Sequence, residues 1–178
     1  MNLFVLHPNP IRAAEWMCDK HVVKMILEVA QMLSTAHREL ESSLVTDDCL
    51  LYKKTHLNHP STIWCRTTGA NYHWAYVHMI ALCDEYTKRY GKTHLTDTKL
   101  RSVLCHFPEK LLDSCSPKDL TVPPSCMPDK YFDKGNQVSK TWKGCSESYQ
   151  RYYQGEKAYM LTYKHSETPE FLKGKIND

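Results

Sequence analysis

Between residues 11 and 41 the chain carries neither proline nor glycine. Asn9 and Pro10 stand just ahead of that run. Asn is a good N-cap, and Pro fits the first helical position because the amide it lacks would be unpaired there anyway. Within the run, apolar residues recur at Val22, Ile26, Val29, Leu33, Ala36 and Leu40. That three-and-four spacing is the signature of a helix. One long helix over about 9–41 is therefore expected, and whatever else the chain does must be built around it.

The remaining segments read the same way. A polar stretch over 41–48 is a loop. The chain turns at Asn58-His59-Pro60-Ser61, and Ser61 or Thr62 is a candidate cap for a short helix. Gly69 punctuates the next break. A second long helix is expected over about 71–89, with Tyr72, Tyr76, Ile80, Cys83 and Tyr86 as its apolar stripe and Gly91 as its stop. A short helix is expected near 96–105. Residues 108–128 hold five of the nine prolines and read as extended or looped. A last helix is expected over about 146–163, closed by Thr168-Pro169. Strand patterns are nearly absent. The expected fold is all-α, a single compact domain over 1–178 with an irregular, proline-rich insertion at about 92–140.

A chain of 178 residues suits one domain of ordinary size. No stretch approaches eighteen uncharged apolar residues, and the apolar start at 3–6 is too short for a secretory signal. A cytoplasmic setting, no membrane partner and a monomeric state are the expectations. No two of the eight cysteines are spaced C-x-x-C, so they read as reduced thiols, several of them in the core.

The net charge of +3 is unevenly spread. Residues 1–48 hold four Lys/Arg against seven Asp/Glu, and the rest is basic. Between Lys130 and Lys164, basic side chains alternate with Tyr131, Trp142, Tyr149, Tyr152, Tyr153 and Tyr159. Cations neutralise phosphates and aromatic faces stack on bases, which suits a nucleic-acid surface. A solvated face above a tyrosine-rich core would read the same.

The long first helix carries a narrow polar stripe. His21, Lys24, Glu28, Gln31, Thr35 and Arg38 follow a 3, 4, 3, 4, 3 spacing and share one line of a helix. Val22, Val23, Met25, Ile26, Leu27, Val29 and Ala30 flank it closely, so the helix is expected to be buried on most sides. Charged groups are seldom buried unless paired. Either Lys24 and Glu28 form a buried structural pair, or the stripe floors a cleft in which Glu28 acts as acid, base or cation stabiliser.

His56, His59, Cys65 and His73 are zinc-ligand types, but their spacing matches no standard site. Thr55, His56, Asn58 and His59 read instead as a polar loop contacting phosphate or a base, and ordinary turn chemistry at 58–61 would read the same. No phosphate-binding glycine loop, dinucleotide fingerprint or nucleophile elbow is present, so no cofactor and no metal is expected. Cys18 and His21 adjoin on a helix without a third orienting group, which favours a buried thiol over a nucleophile.

Three motifs in order carry a resemblance. Asp19-x-His21 is followed by Glu28 nine residues after Asp19. Pro60-Ser61-Thr62-Ile63 precedes an aromatic-rich helix ending in Lys88-Arg89-Tyr90-Gly91. An aromatic run, Tyr152-Tyr153-Gln154-Gly155-Glu156-Lys157-Ala158-Tyr159, lies near the C-terminus. Together they resemble the phage pyrimidine-dimer DNA glycosylases of the endonuclease V type, over about a third of the residues. The string from Cys18 to Met25 is also similar to uncharacterised proteins of large tailed phages.

The resemblance implies a compact helical enzyme that flips a nucleotide out of duplex DNA, cuts the glycosidic bond and nicks the strand at the abasic site. It implies an α-amine nucleophile that forms a Schiff base, and a catalytic glutamate at Glu28. An α-amine has an ordinary pKa of about 8, so a useful fraction is neutral near pH 7. Family members lose the initiator methionine. Met before Asn2 is expected to stay, which makes Met1 the amine unless Lys24 or Lys20 replaces it. The family's arginines on the catalytic helix correspond to Leu27 and Gln31, with Lys24 and Arg38 as partial substitutes.

The candidate catalytic residues are thus Glu28, His21, Lys24 and Met1. The candidate substrate-binding residues are Gln31, Arg38, His56, His59, Arg66, Tyr152 and Lys157. The leading expectation is a DNA glycosylase with abasic-site lyase activity on damaged or modified pyrimidines. The alternatives are a transferase modifying a pyrimidine in phage DNA, a non-catalytic nucleic-acid-binding protein, and a host-factor-binding protein that uses residues 108–128.

Overall fold

The structure is a computed structural model that describes residues 1–41, 49–132 and 140–174. Those residues form six α-helices and several short 3-10 turns, with no strand among them. The helices are α1 (Pro10–Glu15), α2 (Asp19–Leu40), α3 (Pro60–Cys65), α4 (Gly69–Tyr90), α5 (Leu95–Leu104) and α6 (Trp142–Gln154). The all-α expectation holds. Most of the loop expected at 41–48 lies outside the described residues.

The single long helix expected over 9–41 is in fact two. Asn9 caps α1 as expected, its side chain accepting from the amides of Ile11 and Arg12. The helix then stops at Glu15, and α2 begins at Asp19. No residue in 16–18 breaks helices by itself, so the cause is tertiary. The carbonyls freed at the break are taken by distant side chains. Arg89 donates to Glu15 O at 3.0 Å and to Met17 O at 2.8 Å. The Tyr163 hydroxyl donates to Trp16 O at 2.8 Å. Asp19 accepts from Arg89 and from the Lys164 amide, while its own amide donates to Thr162 O. The carbonyls of Glu15, Trp16 and Met17 are thus all bonded, which is the condition for burying them.

Helix α4 is the central element, packing against α1, α2, α3 and α5. Its stop is the one expected: Gly91 takes a left-handed φ of 65° and closes the last turn. Its start differs. Thr68 is the cap, and Gly69 is the first helical residue rather than part of a break. Glycine is required there by close approach. A Cβ at residue 69 would lie 2.5 Å from Leu111 O and closer still to Cys115 Sγ. Alanine ordinarily favours a helix over glycine by about 1 kcal/mol. Here the clash decides the sign, and Gly69→Ala should destabilise by about 1–3 kcal/mol, read as a lower urea midpoint.

Two other boundaries moved. The cap of α3 is His59, whose Nδ1 accepts from the Ser61 amide, rather than Ser61 or Thr62. Helix α6 starts at Trp142 with Thr141 as cap and ends at Gln154, well short of 163. Its C-cap is Gly155, whose backbone leaves helical geometry at ψ −96°, and the Tyr131 ring occupies the space a side chain there would need. The proline-rich insertion contains α5, three 3-10 turns at 109–114, 117–119 and 129–131, and an extended stretch that runs back past α3.

The core is continuous from Leu3, Val5 and Leu6 through α2 and α4 to Tyr149 and Tyr153 of α6. All eight cysteines are free thiols. Burial pushes the Cys65 thiol up to about 12. The expectation that α2 is covered on most sides holds only in part. Val22, Met25, Ile26, Val29 and Ala30 are fully buried, but Lys20, Val23, Lys24 and Leu27 are exposed.

Candidate active site

The first four residues are built into the interior rather than left to fray. Asn2 is buried and fully bonded. Its Oδ1 accepts from the Leu3 and Phe4 amides at 2.8 and 3.1 Å and from the Tyr149 hydroxyl at 2.7 Å. Its Nδ2 donates to Cys126 O at 2.7 Å. Phe4 is held at a positive φ of 46°, an uncommon conformation for a bulky residue. This clamp aims the chain terminus at α2. The Asn2 amide donates to Glu28 Oε2 at 3.1 Å, and the Met1 amine lies 3.8 Å from the same oxygen. The other oxygen, Oε1, pairs with Lys24 Nζ at 3.1 Å. The glutamate is thus shared between a backbone amide, a terminal amine and a lysine. It is 13% exposed, while Lys24 is 68% exposed. The expected buried Lys24–Glu28 pair is therefore a pair at the surface, with its lysine in solvent.

Helix α3 closes the other side. The Thr62 hydroxyl donates to Met1 Sδ at 3.4 Å. His59, the cap of α3, lies near enough to feel both charges. Burial first, then the positive terminal amine and His56, hold its pKa below the usual imidazole value against the pull of Glu28. His56 is exposed at a positive φ of 46°, with Nδ1 bonded to Thr55 Oγ1 at 2.7 Å. Gln31 is half-buried one turn beyond Glu28, and Thr35 then ties α2 to the backbone of Thr55. Met1, Lys24 and Glu28 therefore converge, with His59 close enough to feel Met1 and Glu28 and His56 beside His59.

Other sequence candidates lie apart from that point. His21 is buried beneath Phe4, their rings 4.3 Å apart, and its Nδ1 is bonded to the Tyr153 hydroxyl. Burial, then the charges of Lys157 and Lys24, lower its pKa to about 3, so it is a neutral ring that supports the floor. The Arg38 guanidinium donates to Tyr52 O and Leu51 O, and Arg66 donates to Leu57 O. Both pin the connection that carries His56 and His59. Tyr152 stacks parallel to Phe4 at 6.2 Å, and Lys157 Nζ lies 5.0 Å above the Tyr152 ring. Within the basic aromatic segment, Trp142, Tyr149, Tyr152 and Tyr153 pack in or against the core, while Tyr131 and Tyr159 lie further out. The tyrosine-rich core expected there is present.

The residue that sequence reasoning missed is Asn2. A lone polar residue ahead of four apolar ones was the available signal. If the segment is buried, its amide must be bonded on every side. The partners, Cys126 and Tyr149, were not visible from spacing.

A terminal amine held against a partly buried carboxylate, on a helical scaffold with lysines and aromatic rings nearby, defines a class of site that can make and break an imine. The chain belongs to the family of pyrimidine dimer DNA glycosylases, whose family model matches residues 1–98. Membership of that family points to an enzyme, a DNA-repair glycosylase with damaged DNA as its substrate. The match takes in Met1, Lys24, Glu28, His56 and His59 but stops before Tyr152 and Lys157. No curated protein and no solved structure matches the chain. Among the described residues no helix is long and apolar enough to cross a membrane.

Proposed function

We propose that the protein is a DNA glycosylase with abasic-site lyase activity, acting on a damaged or modified pyrimidine in duplex DNA. The observation that carries this reading is the Met1 amine 3.8 Å from Glu28 Oε2, in a chain of this family. The neutral amine attacks C1′ of a nucleotide drawn out of the stack. The C1′–base bond breaks, its electron pair leaves with the base, and the base takes up a proton. Opening of the sugar ring gives a protonated imine between Met1 and C1′. Glu28 first receives the proton the amine sheds and passes it to the ring oxygen O4′ as the sugar opens; as a carboxylate again, it steadies the positive imine. It then takes the C2′ proton, the C3′–oxygen bond breaks, and the 3′ phosphate departs. Water hydrolyses the imine and frees Met1. The sequence of steps is redox-neutral and needs no cofactor.

Lys24, Gln31, His56 and His59 border the reacting sugar. Tyr152 and Lys157 offer a stacking face and a phosphate contact further out. His21, Arg38 and Arg66 act through the elements they hold in place.

Borohydride reduction tests this directly, because it converts an imine to a stable amine. The untagged protein, incubated with duplex carrying an ultraviolet-induced dimer or an abasic site, should form a covalent adduct whose peptide map places the DNA on Met1. An adduct on Lys24 would transfer the nucleophile to that side chain. No adduct with either duplex would overturn the lyase reading.

A further inference from the structure

The outer face of α2 is not uniformly polar. Lys20, Val23, Lys24 and Leu27 form its exposed line, and the residues turned inward between them are fully buried. Val23 and Leu27 are each 40% exposed. They stand one turn apart, about 6 Å along the axis at 1.5 Å per residue. Leu27 immediately precedes Glu28, and Lys24 lies between the apolar pair and the carboxylate on the helix surface. A single exposed apolar residue needs no explanation, but an adjacent pair flanked by lysines on a rigid helix beside a reacting carboxylate does. Any duplex that delivers a sugar to Glu28 must lie across this face. The two lysines then meet phosphates. Valine and leucine gain nothing from phosphate or water, but they gain from contact with the faces of bases.

We propose that Val23 and Leu27 form an apolar wedge that enters the base stack next to the nucleotide held over Glu28. The proposal rests on the reading of the protein as a DNA glycosylase. The pair are positioning residues. They hold open the step from which the nucleotide has left and do not touch the reacting atoms.

The probe is a duplex with a thymine dimer and 2-aminopurine in the neighbouring step, whose fluorescence rises when that step unstacks. The variants are the double substitution Val23→Ser with Leu27→Ser, and the conservative pair Val23→Ile with Leu27→Met. Both positions face solvent, and unchanged thermal unfolding verifies the fold. Wild type should brighten the probe on binding, and the conservative pair should match it. The serine pair should lose most of the rise and incise paired duplex about tenfold more slowly, since unstacking one step is costly. On a duplex already opened by mismatches beside the dimer, it should incise within about twofold of wild type, because there the wedge has no work left.

Equal slowing on paired and opened duplex, or an undiminished fluorescence rise in the serine pair, overturns the wedge. A rise in wild type that the serine pair loses, with no incision by any form, keeps the wedge and overturns the glycosylase. Incision by wild type without a rise does the reverse, and neither signal removes both.

Discussion

Glu28→Gln protein should fold as wild type does and lose strand incision by about 10²–10⁴-fold, the range expected when a positioned acid–base group is removed. The substitution is nearly isosteric. Its amide oxygen can still accept the Asn2 N–H that now reaches Oε2 at 3.1 Å, so the terminus keeps its place. What goes is the negative charge beside the Met1 amine and the group able to take a proton. DNA affinity should change little, because affinity for the duplex comes mainly from cations on phosphates. The measurement is single-turnover incision of dimer-containing duplex alongside a filter-binding titration. A variant that incises within threefold of wild type would sink the assignment of Glu28, whereas loss of binding together with incision would mean the carboxylate serves the interface instead.

Arg89→Ala should be the most damaging change to stability, at about 3–5 kcal/mol. The Arg89 side chain is wholly buried. It pairs with Asp19 at 3.2 Å and with Glu85 at 2.9 Å, and it donates to two carbonyls at the break between α1 and α2. Truncation leaves two carboxylates and two carbonyls facing a cavity. Breaking a buried charge network by removing one partner costs far more than the network contributes net, because the abandoned groups stay desolvated. Chemical denaturation should show a large fall in midpoint. Arg89→Lys should recover only part of it, since an ammonium cannot span the same fork. A loss under 1 kcal/mol would mean that water enters and satisfies the site.

Much of the architecture was legible from local signals. Asn9 and Pro10 start a helix, Gly91 ends one, and the spacing along α2 and α4 is regular enough to read directly. The features that were not legible depend on contacts between distant residues. Nothing local at Trp16, Met17 or Cys18 ends a helix; the break exists because Arg89 and Tyr163 arrive to bond its carbonyls. The end of α6, by contrast, carries a local mark, the C-cap Gly155, which leaves helical geometry there. In the candidate site, the polar line on α2 was visible as a pattern. Which of its members meet was not. Glu28 reaches the Met1 amine, Lys24 reaches only Glu28, His21 is turned into the core, and Arg38 bonds carbonyls near the loop. Spacing on one helix says which side chains share a face, but not what lies opposite.

The Asn2 clamp also bears on how this protein comes into being. Its bonds to Cys126 and Tyr149 join positions 124 and 147 residues apart. Asn2 therefore has no complete set of partners until the chain has been made through Tyr149. A truncated or half-translated product carries Met1 and Glu28 but has nothing to hold the amine against the carboxylate. On the proposed imine chemistry, reactivity toward DNA is expected only of chains made past Tyr149.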